Sequence, residues 1–337
     1  MRGYRVVFPK ANTIEIEEFD VKEPSEGEVL VENVATLIST GTELTALTGD
    51  FPERSAWSIY VKYPFVPGYS SVGRIVKCGA EVEGFTVGDM IAAMSPHATY
   101  ATVRADQIIK VPEGVNVEEA CFHTIAAGVM NSVRLAKVSL GESVAVVGLG
   151  LLGQMAVMFS RMAGAHPVIA VDLAEYRLKL SELSGATHTL RAGDWGDLRE
   201  AVRRITRGRM VDKVFEVTGN PSVIPEAITL TKPLGYFVVL SSPRGKTAID
   251  FHDEVNRPSR VIIGTHFSSQ PEYETPYNPW TRKRNTELFF DLLSARYIRV
   301  SHLITHRYSW RNAEEAYRML LKDRFNAMGV ILQFKNY

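Results

Sequence analysis

From residue 13 to residue 111 the apolar positions come in short, β-branched runs, TIEIEEF, EVLVENVATLI, SVGRIVKCG, GDMIAAM and YATVRADQIIKV, with Gly and Pro between them at close intervals. Such runs, punctuated by turn residues, predict short strands in a β-rich, barrel-like unit. At Glu118 the pattern changes. EEACFHTIAAGVMNSVRLAKV carries small and apolar residues at helical spacing with Gly128 as its one breaker, which predicts a single helix after the strands. From Ser143 to about Phe267 strand-like and helical runs alternate: SVAVVGL, LLGQMAVMFSRMAGA, PVIAVD, a helix through Leu183, KVFEVTG, PEAITLTK, GYFVVLSS and RVIIGTHF. Apolar strands alternating with helices predict a parallel sheet covered by those helices, an α/β fold. From about residue 281 the chain reads helix (RNTELFFDLLSA), connection, helix (AEEAYRMLLK) and strand (GVILQF).

A length of 337 residues exceeds what one hydrophobic core serves, so two domains are expected, and 45% apolar with 23% charged residues is ordinary for a globular chain. Lys plus Arg and Asp plus Glu both total 38. That balance leaves no net field to gather nucleic acid or an anionic membrane. No window approaches about 18 uninterrupted apolar residues, and MRGYRVVFPKAN lacks the apolar stretch of a secretory signal. A soluble, cytoplasmic protein with a small-molecule substrate and neither nucleic-acid nor membrane partners is therefore expected. Cys78 and Cys121 are the only cysteines, too few for a disulfide framework or a four-cysteine zinc site.

The first candidate chemistry is in GLGLLG, where Gly148, Gly150 and Gly153 follow the strand SVAVV and open a helix at Leu151 and Leu152. Glycines there let the backbone reach a dinucleotide pyrophosphate, which meets the unpaired N–H groups and the positive dipole end of the helix. Asp172 ends the next strand, 19 residues beyond Gly153, where an acidic side chain accepts hydrogen bonds from the adenosine ribose hydroxyls. The same acid would repel a 2′-phosphate, so NAD is favoured over NADP; Arg177 nearby is a residue that tolerates such a phosphate. The competing account is that the glycines serve strand–helix packing alone. Thr218 and Gly219 follow another strand end at the edge where ligands sit in open parallel sheets, and read either as cofactor contacts or as a plain turn.

A β-rich N-terminal part, a helix, a nucleotide-binding stretch opening with VAVVGLGLLG, and a tail containing LITH and AEEAYRMLLKDRFNAMGVILQF together resemble the medium-chain dehydrogenase/reductase superfamily of alcohol and polyol dehydrogenases, nearly end to end. The resemblance implies a GroES-like catalytic domain, discontinuous over 1–122 and 269–337, and a Rossmann NAD-binding domain with a doubly wound parallel sheet over 123–268. ISTGTEL looks like the family's first active-site loop and PGYSSVGRIV like its Gly-His-Glu segment. This places Thr40 at the first zinc-ligand cysteine, Thr42 at the hydroxyl of the proton relay, Glu43 at the following acid, Tyr69 at the zinc-ligand histidine and Ser70 at the neighbouring glutamate. His123 falls near the third ligand position. Zinc takes roughly three protein N, S or carboxylate ligands plus an open position, and Thr40 and Tyr69 are poor ones. The four-cysteine lobe of many relatives is missing as well, since GDMIAAMSPHATYATV runs straight on. No zinc is expected, and the departures look most like the zinc-lacking subgroup that includes bacteriochlorophyllide-type dehydrogenases.

The resemblance thus implies an NAD(H)-dependent oxidoreductase interconverting a secondary alcohol, sugar-, polyol- or cyclitol-like, and its ketone. Tyr69 and Thr42 orient the substrate hydroxyl in that scheme, and His123 has a neutral-range pKa suited to taking its proton. Tyr69 and His123 also read as core side chains with satisfied polar atoms. His97, in SPHATY, reads as a surface loop histidine or as a cleft residue. Trp57 and Tyr60 in FPERSAWSIYVKYP, and Trp280 in EYETPYNPWTRKRN, are candidate substrate contacts or packing aromatics, with Thr40 beside them. Two other functions stay open: NAD(P)H-dependent reduction of a quinone or enoyl double bond, and non-catalytic NAD(H) sensing. RVIIGTHF ends the nucleotide-binding sheet, and the resemblance implies that this strand pairs with its mate across a two-fold axis, covering an edge that would otherwise be a liability, so a homodimer or homotetramer is expected.

Overall fold

In the computed structural model, which describes residues 1–335, the short N-terminal runs become strands. The chain divides into a first unit, Met1–Ile125 together with Lys283 onward, and a second, Ala126–Arg282. In the first unit β1 (Arg2–Val7) and β2 (Glu15–Asp20) form an antiparallel ribbon. They are followed by β3 (Glu28–Leu37), α1 (Thr42–Thr48), α2 (Ala56–Tyr60), β4 (Ser71–Cys78), β5 (Met90–Ala93), β6 (Tyr100–Arg104), β7 (Ile109–Lys110), α3 (Val117–Ala120) and α4 (His123–Leu135). The single helix expected from residue 118 onward is thus two. Asn116 caps α3 by accepting from the N–H groups of Glu118 (2.9 Å) and Glu119 (3.3 Å), and the Cys121 carbonyl accepts from Ser70 Oγ at 2.7 Å at the break before α4.

The second unit continues with β8 (Val144–Val147), α5 (Leu151–Met162), β9 (Val168–Asp172), α6 (Glu175–Leu183), β10 (His188–Arg191), α7 (Trp195–Ile205), β11 (Val211–Glu216), α8 (Ile224–Ala227), β12 (Thr231–Val239) and β13 (Val261–Gly264). Its strands form one parallel sheet in the order β10-β9-β8-β11-β12-β13. The order reverses between β8 and β11, so the loops leaving these two strands flank the switch point where open α/β sheets bind ligands. β8 is buried throughout, and Val147, Val171, Val214 and Phe237 pack in the core beneath the helices.

The chain returns to the first unit through α9 (Arg282–Ser294), β14 (Ile304–Ser309), α10 (Ala313–Asp323) and β15 (Gly329–Gln333). β15 pairs antiparallel with β3, Ile331 opposite Leu37, and completes a seven-stranded sheet. The observed division differs from the expected one chiefly at residues 269–282, which go with the second unit. Asn131 Nδ2 holds Ser269 Oγ at 2.9 Å, and the Arg134 guanidinium lies 3.3 Å over the Trp280 ring, so side chains of α4 carry that segment.

Candidate active site

The nucleotide side forms at the ends of β8, β9 and β11. Gly148 follows β8 with φ +95, and a Cβ there would sit 2.9 Å from the Thr218 nitrogen, so the first loop and the loop after β11 touch through a missing side chain. A Cβ at Gly153 would lie 2.0 Å from the Gly148 carbonyl oxygen, which makes this glycine the condition for α5 to pack on β8. Gly150 is different: nothing lies within 4 Å of its Cβ position, and it begins α5 with no side-chain cap. The N–H groups of the first turn, at Leu151 and Leu152, have no intrahelical acceptor and face an open approach suited to a pyrophosphate. Asp172 Oδ2 accepts from the Leu149 N–H at 2.7 Å and Oδ1 from the Ala174 N–H at 2.8 Å, so this acid braces the glycine loop as well as ending β9. Arg177 Nη1 stands 4.0 Å from the same carboxylate. Glu216, fully buried at the end of β11, accepts from the Thr218 N–H at 2.7 Å and from the hydroxyls of Thr218 and Ser241, which fixes Thr218 and Gly219. These residues fit a dinucleotide.

In the first unit the Tyr69 hydroxyl donates to Ser39 Oγ and reaches Thr42 Oγ1 at 3.5 Å. Burial pushes the Tyr69 phenol up to about 12, against the opposing effect of those two hydrogen bonds. Tyr69 therefore keeps its proton at neutral pH and is a donor rather than a base. Its backbone is tied to the start of α4: Thr124 Oγ1 donates to the Tyr69 carbonyl at 3.1 Å. His123, 3% exposed, is the neighbour of Thr124 and has its ring 6.4 Å from that of Phe290. Thr40 is half-buried between Ser39 and Gly41.

His97 requires a correction, because it is neither a surface residue nor free to meet a substrate. It is fully buried, with Nδ1 2.7 Å from Thr36 Oγ1 and Nε2 3.0 Å from Glu43 Oε2. Gly68 is what admits it: at φ +101, a Cβ there would lie 2.5 Å from the His97 nitrogen, and that N–H donates to the Pro67 carbonyl at 3.0 Å. Trp57 belongs to an aromatic column, stacked on Phe51 at 6.4 Å and edge-on to Tyr60 at 6.3 Å. Tyr60, 53% exposed, leaves its own edge against Phe65. Trp280 has one face covered by Arg134 and belongs to the second unit. Ser39 and Tyr317, which join this side of the molecule below, were not expected from the sequence.

The resemblance assigns a zinc the donors Thr40, Tyr69 and His123. That set does not fit: it offers one imidazole and two hydroxyls, and the phenol is held protonated. Among the described residues no three His, Cys, Asp or Glu side chains converge as ligands, and no helix is long and apolar enough to cross a membrane.

Residues 25–113 match the alcohol dehydrogenase GroES-like domain, and residues 152–282 match the zinc-binding dehydrogenase domain. The chain belongs to the medium-chain dehydrogenase superfamily that includes the alcohol dehydrogenases, and it is an oxidoreductase. It is 26% identical to L-threonine 3-dehydrogenase of Pyrococcus abyssi over 91% of both chains. It is 28% identical to D-guloside 3-dehydrogenase of Escherichia coli over 75% of this chain and 73% of the relative. In fold it matches the galactitol-1-phosphate dehydrogenase of Escherichia coli with a TM-score of 0.83 at 18% identity, covering 98% of this chain and 99% of that one.

Proposed function

We propose that the protein interconverts a secondary alcohol and its ketone with NAD(H), using hydroxyl groups and a histidine where relatives use zinc. The observation that carries this is the Tyr69 phenol, buried, protonated and aligned by Ser39 and Thr42, at the residue that the resemblance sets against a metal ligand. Bound NAD supplies the hydride acceptor. Without a metal, charge developing on the substrate oxygen needs preorganised donors, and the proton needs a base. Tyr69 and Thr42 donate to the oxygen, and His123, or a water that it holds, takes the proton. Asp172 favours NAD by accepting from the ribose hydroxyls and repelling a 2′-phosphate.

Support for the substrate class comes from the relatives, since both L-threonine 3-dehydrogenase and D-guloside 3-dehydrogenase are named for oxidation at carbon 3, a secondary hydroxyl in each case. A polyhydroxylated or otherwise polar secondary alcohol is therefore the substrate class. The test is a screen of sugar alcohols, glycosides, cyclitols and hydroxy amino acids with NAD or NADP, followed at the reduced-nicotinamide absorbance. Turnover of quinones or enones but of no alcohol would overturn the proposal.

A further inference from the structure

We propose that Ser39 is the hydroxyl that switches Tyr69 toward the substrate, and that Glu43, anchored by His97 and Tyr317, is the positioning residue that holds Ser39 in place. This rests on the role given to Tyr69 above. Glu43 is 1% exposed and has three donors: the Ser39 N–H to Oε1 at 2.9 Å, and the Tyr317 hydroxyl at 2.5 Å and His97 Nε2 at 3.0 Å to Oε2. With Nε2–H on the carboxylate, His97 Nδ1 accepts from the Thr36 hydroxyl, and every polar atom of the cluster has a partner. Thr36 comes from β3, Glu43 from α1 and Tyr317 from α10, while His97 lies in the loop before β6.

Stability alone does not account for such a cluster. Burying a carboxylate is expensive, and a buried polar cluster replaced whole by apolar side chains of the same volume is often neutral or stabilising. What the cluster delivers is geometric. The Glu43 N–H also donates to the Ser39 carbonyl at 2.9 Å, so Ser39 is gripped at both backbone ends by one residue. With its backbone held in this way, the freedom left to Ser39 is rotation of its short side chain.

The Ser39 hydroxyl accepts from Tyr69 and, among the described residues, donates to no one. A turn of the Ser39 side chain about its Cα–Cβ bond, with the Tyr69 ring in place, reverses the bond. Ser39 then donates to the Tyr69 oxygen, and the Tyr69 proton is free to point at a substrate oxygen. No proton changes owner, and a phenol that accepts one hydrogen bond is a stronger donor of the next. Thr42, at 3.5 Å, is too long to take over the part of Ser39.

The test uses the whole protein labelled with tyrosine carrying ¹³C at the ring carbon that bears the hydroxyl, with the Tyr69 resonance assigned by its loss in Tyr69→Phe. Ser39→Ala is expected to move that resonance, to lower kcat ~10-fold on a substrate found by the screen, the worth of about one hydrogen bond, and to leave NADH binding unchanged. Ser39→Thr should restore both the resonance and the rate. Glu43→Gln should shift the Tyr69 resonance in the same direction; a merely structural Glu43 would lower the melting temperature and leave that resonance alone. Should Glu43→Gln fail to fold, Tyr317→Phe removes one of the carboxylate's donors and is expected to give a smaller shift of the same sign. An unmoved Tyr69 resonance in Ser39→Ala overturns the proposal. If Ser39→Ala moves the resonance while Tyr69→Phe turns over at the wild-type rate, the role of Tyr69 fails and its positioning by Ser39 stands.

Discussion

Replacing Tyr69 with Phe removes one oxygen and leaves the ring. At neutral pH the loss is the Ser39 and Thr42 hydrogen bonds, about 1 kcal/mol, or ~1–2 °C in melting temperature for a chain of 337 residues. The alkaline limb carries the larger signal. The phenol titrates near 10.0 in an unfolded chain and at about 12 when folded, so above pH 10 the unfolded state sheds a proton that the native state retains. A raised native pKa gives stability that is whole below the unfolded value and is lost as pH climbs toward the folded one. Two units at 1.36 kcal/mol each make the complete loss about 3 kcal/mol, of which about 2 kcal/mol is gone by about pH 11.5. Urea unfolding of wild type and Tyr69→Phe between about pH 8 and pH 11.5 isolates this contribution, because the buried Tyr317, also raised, is common to both proteins. The wild type should lose stability faster, so that the variant, slightly weaker at pH 8, becomes the more stable of the two. Parallel curves would refute a buried, protonated Tyr69. In turnover, loss of a donor aimed at a developing oxyanion should lower kcat by ~10²–10³ with little change in NADH affinity.

Metal analysis after mild chelation should return much less than one zinc per chain; a single tightly held zinc would overturn the hydroxyl-based site. Asp172→Ala should narrow the gap between NADH and NADPH binding while also weakening both, since the Leu149 N–H loses its acceptor, and a wild type that binds NADPH more tightly than NADH would sink the role given to that acid. β13 pairs with β12 on one side alone within the described chain and exposes Val261 (40%) and Ile262 (37%), so we expect self-association along this edge. Ile262→Lys should then shift sedimentation toward the monomer, and a wild type that is monomeric at micromolar concentration would count against it.

The nucleotide side was legible because its requirements are local: three glycines with distinct jobs, a strand before them and an acid at the end of the next strand all lie within 29 residues, Val144 to Asp172. The substrate side was only half legible. Tyr69 and Thr42 stood out through the resemblance, but Ser39 sits between apolar residues and the loop glycine with no pattern of its own. His97 read as a loop residue because SPHATY is polar and short, while the clue to its burial lay 29 positions earlier, in the missing Cβ of Gly68. β10, with the sequence HTLR, went unseen because an edge strand this exposed has no apolar alternation, and β14, ITHRYS, for a similar reason. The helix expected from Glu118 is broken by a serine fifty-one residues away, a contact that no periodicity announces.

Glu43 and Tyr317 are 274 residues apart, and the intervening chain contains the whole second unit. At ribosomal speeds of about 5–20 residues per second, roughly 14–55 s separate the two residues during synthesis. For that interval the carboxylate lacks one of its donors, and β3 lacks β15 beside it. The second unit, contiguous in sequence, has no such wait. Nascent chains stalled before residue 313, where α10 begins, should therefore protect the glycine-loop unit from protease while the Tyr69 side stays open to it.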